Sequence, residues 1–304
     1  MREDADAIGL FVVHWNRPLE CVATVQRLLA QQVALKTVVV DNASLPEAFD
    51  LLRTQLDSDI EVVRLEQNKG WGPALNIVLR QWMQSPGSSY CLISAHDAEP
   101  APNCIKLLIQ AMADAHVGIA CPQYPDGTVA RFSGVRGVYQ ERRVALPSGT
   151  SQPVDVPHGT LMLVRRDCLT QIGLFDERYF AYGDEHELGV RAGRHGWKTV
   201  LVWGSIVTNR GTWTPSPWRS YLFTRNSLLI VHDHCGRLYA WTRAALLLVN
   251  TLRLLVFSPN RGFAFSPRAR WLGLRDYFSG QFGRPTMVGD KRGRDPRPAP
   301  AARE

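Results

Sequence analysis

Along residues 8–121, short apolar runs alternate with stretches in which apolar side chains recur every three or four positions. The runs Ile8–Val13, Thr37–Val40, Ile60–Leu65, Tyr90–Ile93 and Val117–Ala120 read as buried strands, and the stretches between them as amphipathic helices. That rhythm predicts a parallel sheet flanked by helices, because a parallel crossover needs a helix-length connection. In the first helix Leu19, Val22, Val25, Leu28 and Leu29 recur behind Pro18, which predicts a core-facing stripe with proline in the first turn.

The rhythm breaks after residue 121. From about 125 to 155, Gly127, Gly134, Gly137, Pro147 and Gly149 punctuate weak strands, which predicts loops and short antiparallel pieces. Val154–Val164 is apolar but broken at Pro157-His158-Gly159. Arg166–Ile172 reads as a short helix stopped by Gly173, and Asp184–His195 as a helix closed by Gly196. Leu238–Phe257 has the length of a membrane span, but Arg243, Asn250 and Arg253 interrupt it on one helical face. It reads either as an amphipathic helix lying on a surface or as a helix packed on the core with one wet face. From Met287 on, Pro, Arg and Ala dominate and predict a disordered tail. The expected organisation is a main domain over 1–230, a helical C-terminal extension over 231–286 and a tail over 287–304.

Composition narrows this picture. A chain of 304 residues that is 45% hydrophobic can bury a substantial core. The formal charge of +7 reaches notable density only between Arg261 and Arg303, and that segment has little aromatic interleaving. Nucleic acid is therefore not an expected partner, whereas phosphates or an anionic lipid surface are. The six cysteines show no paired short spacing, and Met1–Ala7 is acidic with no basic-then-apolar leader. A reducing, cytoplasmic setting is expected.

Open parallel sheets bind ligands beyond the carboxyl ends of their strands, so the polar residues that follow the apolar runs are the candidates. They are His14-Trp15-Asn16-Arg17, Asp41-Asn42-Ala43-Ser44 and His96-Asp97-Ala98-Glu99-Pro100. Asp97 and Glu99 offer hard oxygen ligands suited to Mg²⁺ or Mn²⁺ on a diphosphate. A second cluster, Asp184-Glu185-His186-Glu187, follows the aromatic run Tyr179-Phe180-Ala181-Tyr182 and opens a helix. Acids at a helix start complement its dipole, but acids beside aromatics also make a desolvated site for a general base.

Taken in order, these landmarks resemble the family 2 glycosyltransferases of GT-A fold, in their rhamnosyltransferase-like branch, over roughly residues 8–230. Val12–Arg17 resembles that family's first strand and turn, and Val38-Val39-Val40-Asp41-Asn42-Ala43-Ser44 its V-V-D-N-[AG]-S signature. Asn68-Lys69-Gly70-Trp71-Gly72-Pro73-Ala74-Leu75-Asn76 is similar to its N-x-G-[FW]-[GA] loop, and Asp97-Ala98-Glu99-Pro100 to its metal motif. Gly173–Glu177, Gly183–Leu188 with Arg191, and Tyr221–Asn226 resemble three later segments.

The resemblance implies an inverting transfer from a dTDP- or UDP-linked sugar, a rhamnose-like deoxysugar being favoured, to a glycan, lipid-linked or small-molecule acceptor. The nucleotide would sit in the half spanning about 8–121 and the acceptor in the half spanning about 122–230. By carry-over, Trp15, Arg17 and Asp41 would hold base and ribose, with His14, Asn16 and His96 beside them. Asn68, Lys69, Gly70, Trp71 and Asn76 would flank the nucleotide. Asp97 and Glu99 would hold the metal, with Asn209 at the position where the family often has histidine, so that His96 or His186 is an alternative ligand. Glu185 occupies the base position and Asp184 is the fallback, because the usual Glu-Asp order is reversed. His158, Gly159, Tyr182 and His186 fall on the acceptor side. The helix at 238–257 adds a peripheral membrane contact at the inner face of the plasma membrane. Two rivals remain: a catalytically impaired binding scaffold, and a nucleotidyltransferase, which would need a Gly-rich phosphate loop after the first strand that His14–Arg17 does not provide.

Overall fold

The computed structural model describes residues 7–209, 216–257 and 265–285, so the tail expected from Met287 lies outside the described residues. They form two compact units. The first comprises 7–131, 139–176 and 184–209; the second comprises 132–138, 177–183 and the C-terminal helices.

In the first unit the chain runs β1 (Ile8–His14), α1 (Pro18–Leu29), β2 (Leu35–Asp41), α2 (Pro46–Gln55), β3 (Glu61–Arg64), α3 (Trp71–Gln84), β4 (Tyr90–Ala95), β5 (Ala98–Pro100), α4 (Cys104–Ala111) and β6 (Val117–Gln123). A hairpin of β7 (Thr128–Ser133) and β8 (Gly137–Arg142) follows, its tip at 132–138 counted with the second unit, then β9 (Ser151–Val154), β10 (Leu161–Arg165), α5 (Arg166–Ile172), α6 (Asp184–Arg194) and β11 (Lys198–Asn209). The main sheet has the order β3-β2-β1-β4-β10-β6-β11-β5, with β9 also paired to β11. Successive residues of a strand point to opposite faces, so Phe11, Val13, Val40 and Ile93 enter one core with Leu75 and Leu79 of α3. Leu10, Val12, Val39 and Leu92 enter the other, with Val25, Leu28, Ile105 and Leu108 of α1 and α4.

The strands read from the apolar runs are present, and the sheet is mixed, with most of its strands running in one direction. Strands β1, β2, β3 and β4 are parallel neighbours, whereas β10 runs antiparallel between β4 and β6. No helix separates β6 from β10, so there is no βαβ crossover to impose a parallel direction. The three-residue strand β5 was not expected; it pairs antiparallel with the end of β11, Asn209 opposite Ala98. The stripe on α1 is also rotated from the expected one: Leu19 and Leu29 are exposed, while Cys21 and Thr24 are buried. The reason is polar. Thr24 Oγ1 donates to the carbonyls of His96 (2.9 Å) and Ala98 (3.0 Å), which pins α1 to the β4–β5 turn.

The second unit contains α7 (Ser216–Cys235), α8 (Arg237–Phe257) and α9 (Pro267–Phe278). Phe180, Tyr221, Leu222 and Ala269 form one small core, and Leu228, Ala244 and Leu274 another. Segment 177–183 is held by two buried side chains of α7. Asn226 Nδ2 donates to the carbonyls of Tyr179, Ala181 and Tyr182, and Arg225 Nη2 to that of Tyr179. Phe180 and Tyr182 sit there at φ of 66° and 62°, a left-handed conformation costly for aromatic residues, and these bonds over-determine it.

Candidate active site

One edge of the sheet in the first unit collects the candidates. Strands β1, β2, β4 and β6 all end there, β10 begins there, and β11 ends at Asn209. Register brings His14 opposite Asp41 and Asp41 opposite Arg64.

His14 and Asp41 are fully buried and bonded to each other. His14 Nε2 accepts the Arg17 N–H at 3.0 Å, so its Nδ1 carries the proton and donates to Asp41 Oδ1 at 2.9 Å. Asn16 joins the same loops: its N–H donates to Ser44 Oγ and its Oδ1 accepts from Leu45 N–H, from a left-handed backbone that asparagine tolerates. Asn42 clamps the next loop, donating to Asn68 Oδ1 (3.1 Å) and the Gly70 carbonyl (2.9 Å) and accepting from Lys69 N–H (2.9 Å). Gly70, at φ 95°, then opens α3. Lys69 is exposed at the tip of this loop. Asn76 sits deeper, its carboxamide exchanging two hydrogen bonds with the Phe175 backbone (2.9 and 3.0 Å).

Three ring nitrogens near this edge are buried without a hydrogen-bond partner among the described residues: Trp15 Nε1, His96 Nε2 and His158 Nδ1. His96 Nδ1 donates to the Val13 carbonyl (3.2 Å) and His158 Nε2 to the Pro122 carbonyl (2.7 Å), so the orphaned imidazole atoms are bare acceptors. Burial holds both rings neutral, pushing each down to about 4. One donor and two acceptors left unsatisfied, each costing about 1–3 kcal/mol, suit a site that a polar ligand completes.

The two carboxylates of the 97–99 motif behave differently. Burial pushes the Asp97 carboxyl up to about 6, with the charges of Glu20 and Glu99 acting the same way, and no cation pairs with it among the described residues. Glu99 instead lies 3.3 Å from Arg27 and accepts from Thr208 Oγ1 at 3.4 Å. Asn209 Nδ2 donates to Thr160 Oγ1 at 3.3 Å, so that only its carbonyl oxygen could meet a cation. Among the described residues no three His, Cys, Asp or Glu side chains converge. A divalent ion arriving on a diphosphate needs only one or two protein carboxylates, the rest of its shell being phosphate and water. The desolvated, cation-free Asp97 fits that role, and Glu99 fits it only by giving up Arg27.

At the start of α6, Asp184 is buried and accepts the Gly72 N–H at 2.9 Å. Gly72 is required for that approach: a β-carbon there would lie 2.9 Å from Phe175 Cβ and 3.0 Å from the Asp184 carboxylate. Burial raises the Asp184 carboxyl well above the usual range, and the charge of Glu185 and a hydrogen bond to it add to the effect. Glu185 faces Gly159 and Trp71: a β-carbon at Gly159 would be 3.6 Å from Glu185 Cγ and Cδ and from the Trp71 ring. His186 Nε2 lies 3.5 Å from Glu185 Oε1, and burial pushes His186 down to about 4. Tyr182 belongs to the second unit, where its ring packs on Phe223 at 4.9 Å.

Two residues absent from the sequence expectations stand between these groups. The Tyr124 hydroxyl bonds Thr160 Oγ1 at 2.7 Å, its ring stacks on His158 at 4.3 Å, and burial lifts its phenol to about 12, with Glu185 and Asp97 both contributing. Tyr124 directly follows β6, so its signal in the sequence is its position just beyond a strand end. Thr160 carries no such signal.

A mixed sheet with helices on both faces and polar groups gathered at one edge is the GT-A fold of nucleotide-sugar glycosyltransferases. Solved structures similar to the chain include GalNAc-T7 with UDP, GalNAc and Mn²⁺ (TM-score 0.62, 13% identity, 91% of this chain and 55% of that one). Another is the Pyrobaculum calidifontis mannosyltransferase PcManGT with GDP-Man and Mn²⁺ (0.57, 15%, 90% and 87%). Residues 5–227 match the family described as "Glycosyltransferase like family 2", and the chain belongs to that family. It is also similar to the N-acetylglucosaminyl-diphospho-decaprenol L-rhamnosyltransferase of Mycobacterium tuberculosis, with 28% identity over 206 residues. That match covers 57% of this chain and 66% of the relative's length.

Proposed function

We propose that this glycosyltransferase moves a rhamnose-type deoxysugar, with inversion and divalent-metal assistance, from a dTDP- or UDP-linked donor to a hydroxyl of a glycan, lipid-linked or small-molecule acceptor. The observation that carries the reading is the pairing at α6: Asp184 is buried and bonded to the Gly72 N–H, and its neighbour Glu185 meets Gly159 and Trp71. The likeness to the mycobacterial rhamnosyltransferase supports the sugar class, and the Mn²⁺ complexes of the two structural neighbours support a divalent ion.

In this mechanism the loops ordered by His14–Asp41 and Asn42–Asn68 bind the nucleotide, with Trp15 Nε1 and His96 Nε2 supplying a donor and an acceptor. Asp97, with the Asn209 carbonyl and with Glu99 in second place, would hold Mg²⁺ or Mn²⁺, which when bound neutralises charge on the departing diphosphate. Glu185 removes the acceptor's hydroxyl proton as that oxygen attacks the anomeric carbon. The bond from that carbon to the diphosphate oxygen breaks on the opposite face, and the nucleoside diphosphate leaves with the electron pair. Gly159 keeps the space beside Glu185 open for the acceptor, with His158 and His186 around it. All six cysteines are free and five are buried, which supports a reducing, cytoplasmic setting.

The test is calorimetric titration with a panel of nucleotide sugars, with and without Mn²⁺, followed by transfer assays. Metal-dependent binding of one donor, lost in Asp97→Ala, together with transfer lost in Glu185→Gln but donor binding kept, is the expected result. Full turnover by Glu185→Gln overturns the mechanism, and donor binding without transfer or hydrolysis identifies a binding scaffold.

A further inference from the structure

The second unit carries a surface that the transfer chemistry does not use. Of the polar residues expected to face water on helix α8, Arg253 is exposed, whereas Arg243 and Asn250 are partly buried against the protein. The Arg243 guanidinium is mostly buried, and that burial lowers its pKa. Arg270 of α9 donates to Asn250 Oδ1 (3.2 Å) and Thr251 Oγ1 (3.1 Å). The face left open is apolar: Leu238, Trp241, Val249, Leu252 and Val256 recur at helical spacing, with Val249 63% and Leu252 61% exposed. Helix α9 extends the patch with Trp271, also 63% exposed, and Phe278, whose ring lies 4.6 Å from that of Trp241. A groove of about 450 Å³ between the two helices is lined by Leu248, Trp271, Leu274, Phe278 and Arg275.

Such a contiguous apolar surface on a soluble unit calls for a cover. We propose that α8 and α9 form a docking face for an anionic lipid bilayer, with α8 lying in the plane of the interface. Charge selects this occupant. Residues 237–285 contain eight arginines and a single carboxylate, Asp276, which is buried and bonded to Tyr221 and Arg275. The exposed charges described on these two helices, among them Arg253, Arg268 and Arg275, are therefore cationic. A second copy of the same face would set arginine against arginine with no acid to pair, whereas anionic headgroups complement it. Tryptophans beside arginines at the edge of an apolar face suit the headgroup boundary. Helix α8 has the length and hydropathy of a span, 21 residues at a mean hydropathy of 1.4, but the inward Arg243 and the Arg270 bonds tie one side of it to the protein. It lies on the membrane and does not cross it.

The full chain is tested by co-sedimentation with phosphatidylcholine vesicles and with vesicles that also contain phosphatidylglycerol. Binding to the anionic vesicles only, weakened by salt, with tryptophan emission quenched by brominated acyl chains, is the expected result. The double variant Val249→Glu/Leu252→Glu should lose at least about tenfold in partitioning, since buried charge opposes insertion, while its nucleotide binding and circular dichroism stay unchanged. Should that variant misfold, Trp271→Phe in the otherwise intact chain gives a second readout, as a reduced bromolipid quench. Absence of vesicle binding overturns the proposal. So does a wild-type dimer in light scattering that Val249→Glu/Leu252→Glu converts to monomer, because the face then covers a second copy.

Discussion

The β4–β5 turn and the start of α6 each present two acids close together in sequence, and the fold treats the members of each pair in opposite ways. At the turn, Glu99 is tied to Arg27 and Thr208 while Asp97 is desolvated with no cation beside it among the described residues. At α6, Asp184 is tied to the Gly72 N–H while Glu185 meets Gly159 and Trp71. In both places one carboxylate holds the scaffold, and the proposed function gives the chemistry to its neighbour. The tie also differs in strength. The Arg27–Glu99 pair is partly exposed, with side chains 41% and 28% accessible, and contributes little, whereas the Asp184 bond is buried.

The largest test of this contrast is Glu185→Gln, which should lower kcat by about 10²–10⁴-fold, the usual contribution of a general base, with donor binding unchanged. Asp97→Ala comes next and should abolish the metal-dependent part of nucleotide binding in calorimetry while the thermal midpoint holds.

Asp184→Asn keeps a group able to accept from Gly72 and donate to Glu185, so kcat should fall by no more than about tenfold. Its clearer signature is in stability against pH. A carboxyl whose folded-state pKa is raised contributes stability that is fully present below its unfolded value and lost as pH rises through the folded value. Asparagine mimics the protonated form at every pH. The melting temperature of Asp184→Asn relative to wild type should therefore rise with pH, and a constant difference would show that Asp184 is ionised in the fold. The smallest effect belongs to Glu99→Gln: about 0.2–1 kcal/mol in stability and a weakening of metal-dependent binding well short of that in Asp97→Ala. An equal loss in the two variants would mean that Glu99 leaves Arg27 to hold the ion.

Much of this molecule could be read before its structure. The short apolar runs marked β1, β2, β3, β4 and β6, and the polar positions beyond them marked His14, Asp41 and Asp97, which the fold gathers at one edge. Antiparallel β10 and short β5 escaped because their pairing depends on strands distant in sequence, Leu161 on Ser94 and Asn209 on Ala98. Leu19 and Leu29 were misplaced because the hydroxyl of Thr24, which rotates α1, finds its acceptors more than seventy residues away. Tyr124 and Thr160 gain their place only when β6 and β10 are set side by side.

The chain's own order of apolar and polar residues determined the alternating strands and helices, the family, and the short list of acids that can do chemistry. Tertiary structure decided which acid of each pair is spent on the scaffold, and which face of α8 turns outward. The reason is the same in both cases. A carboxylate or an arginine takes its role from the partner that desolvates or bonds it, and those partners, Arg27 for Glu99, Gly72 for Asp184 and Asn250 for Arg270, come from other elements of the fold.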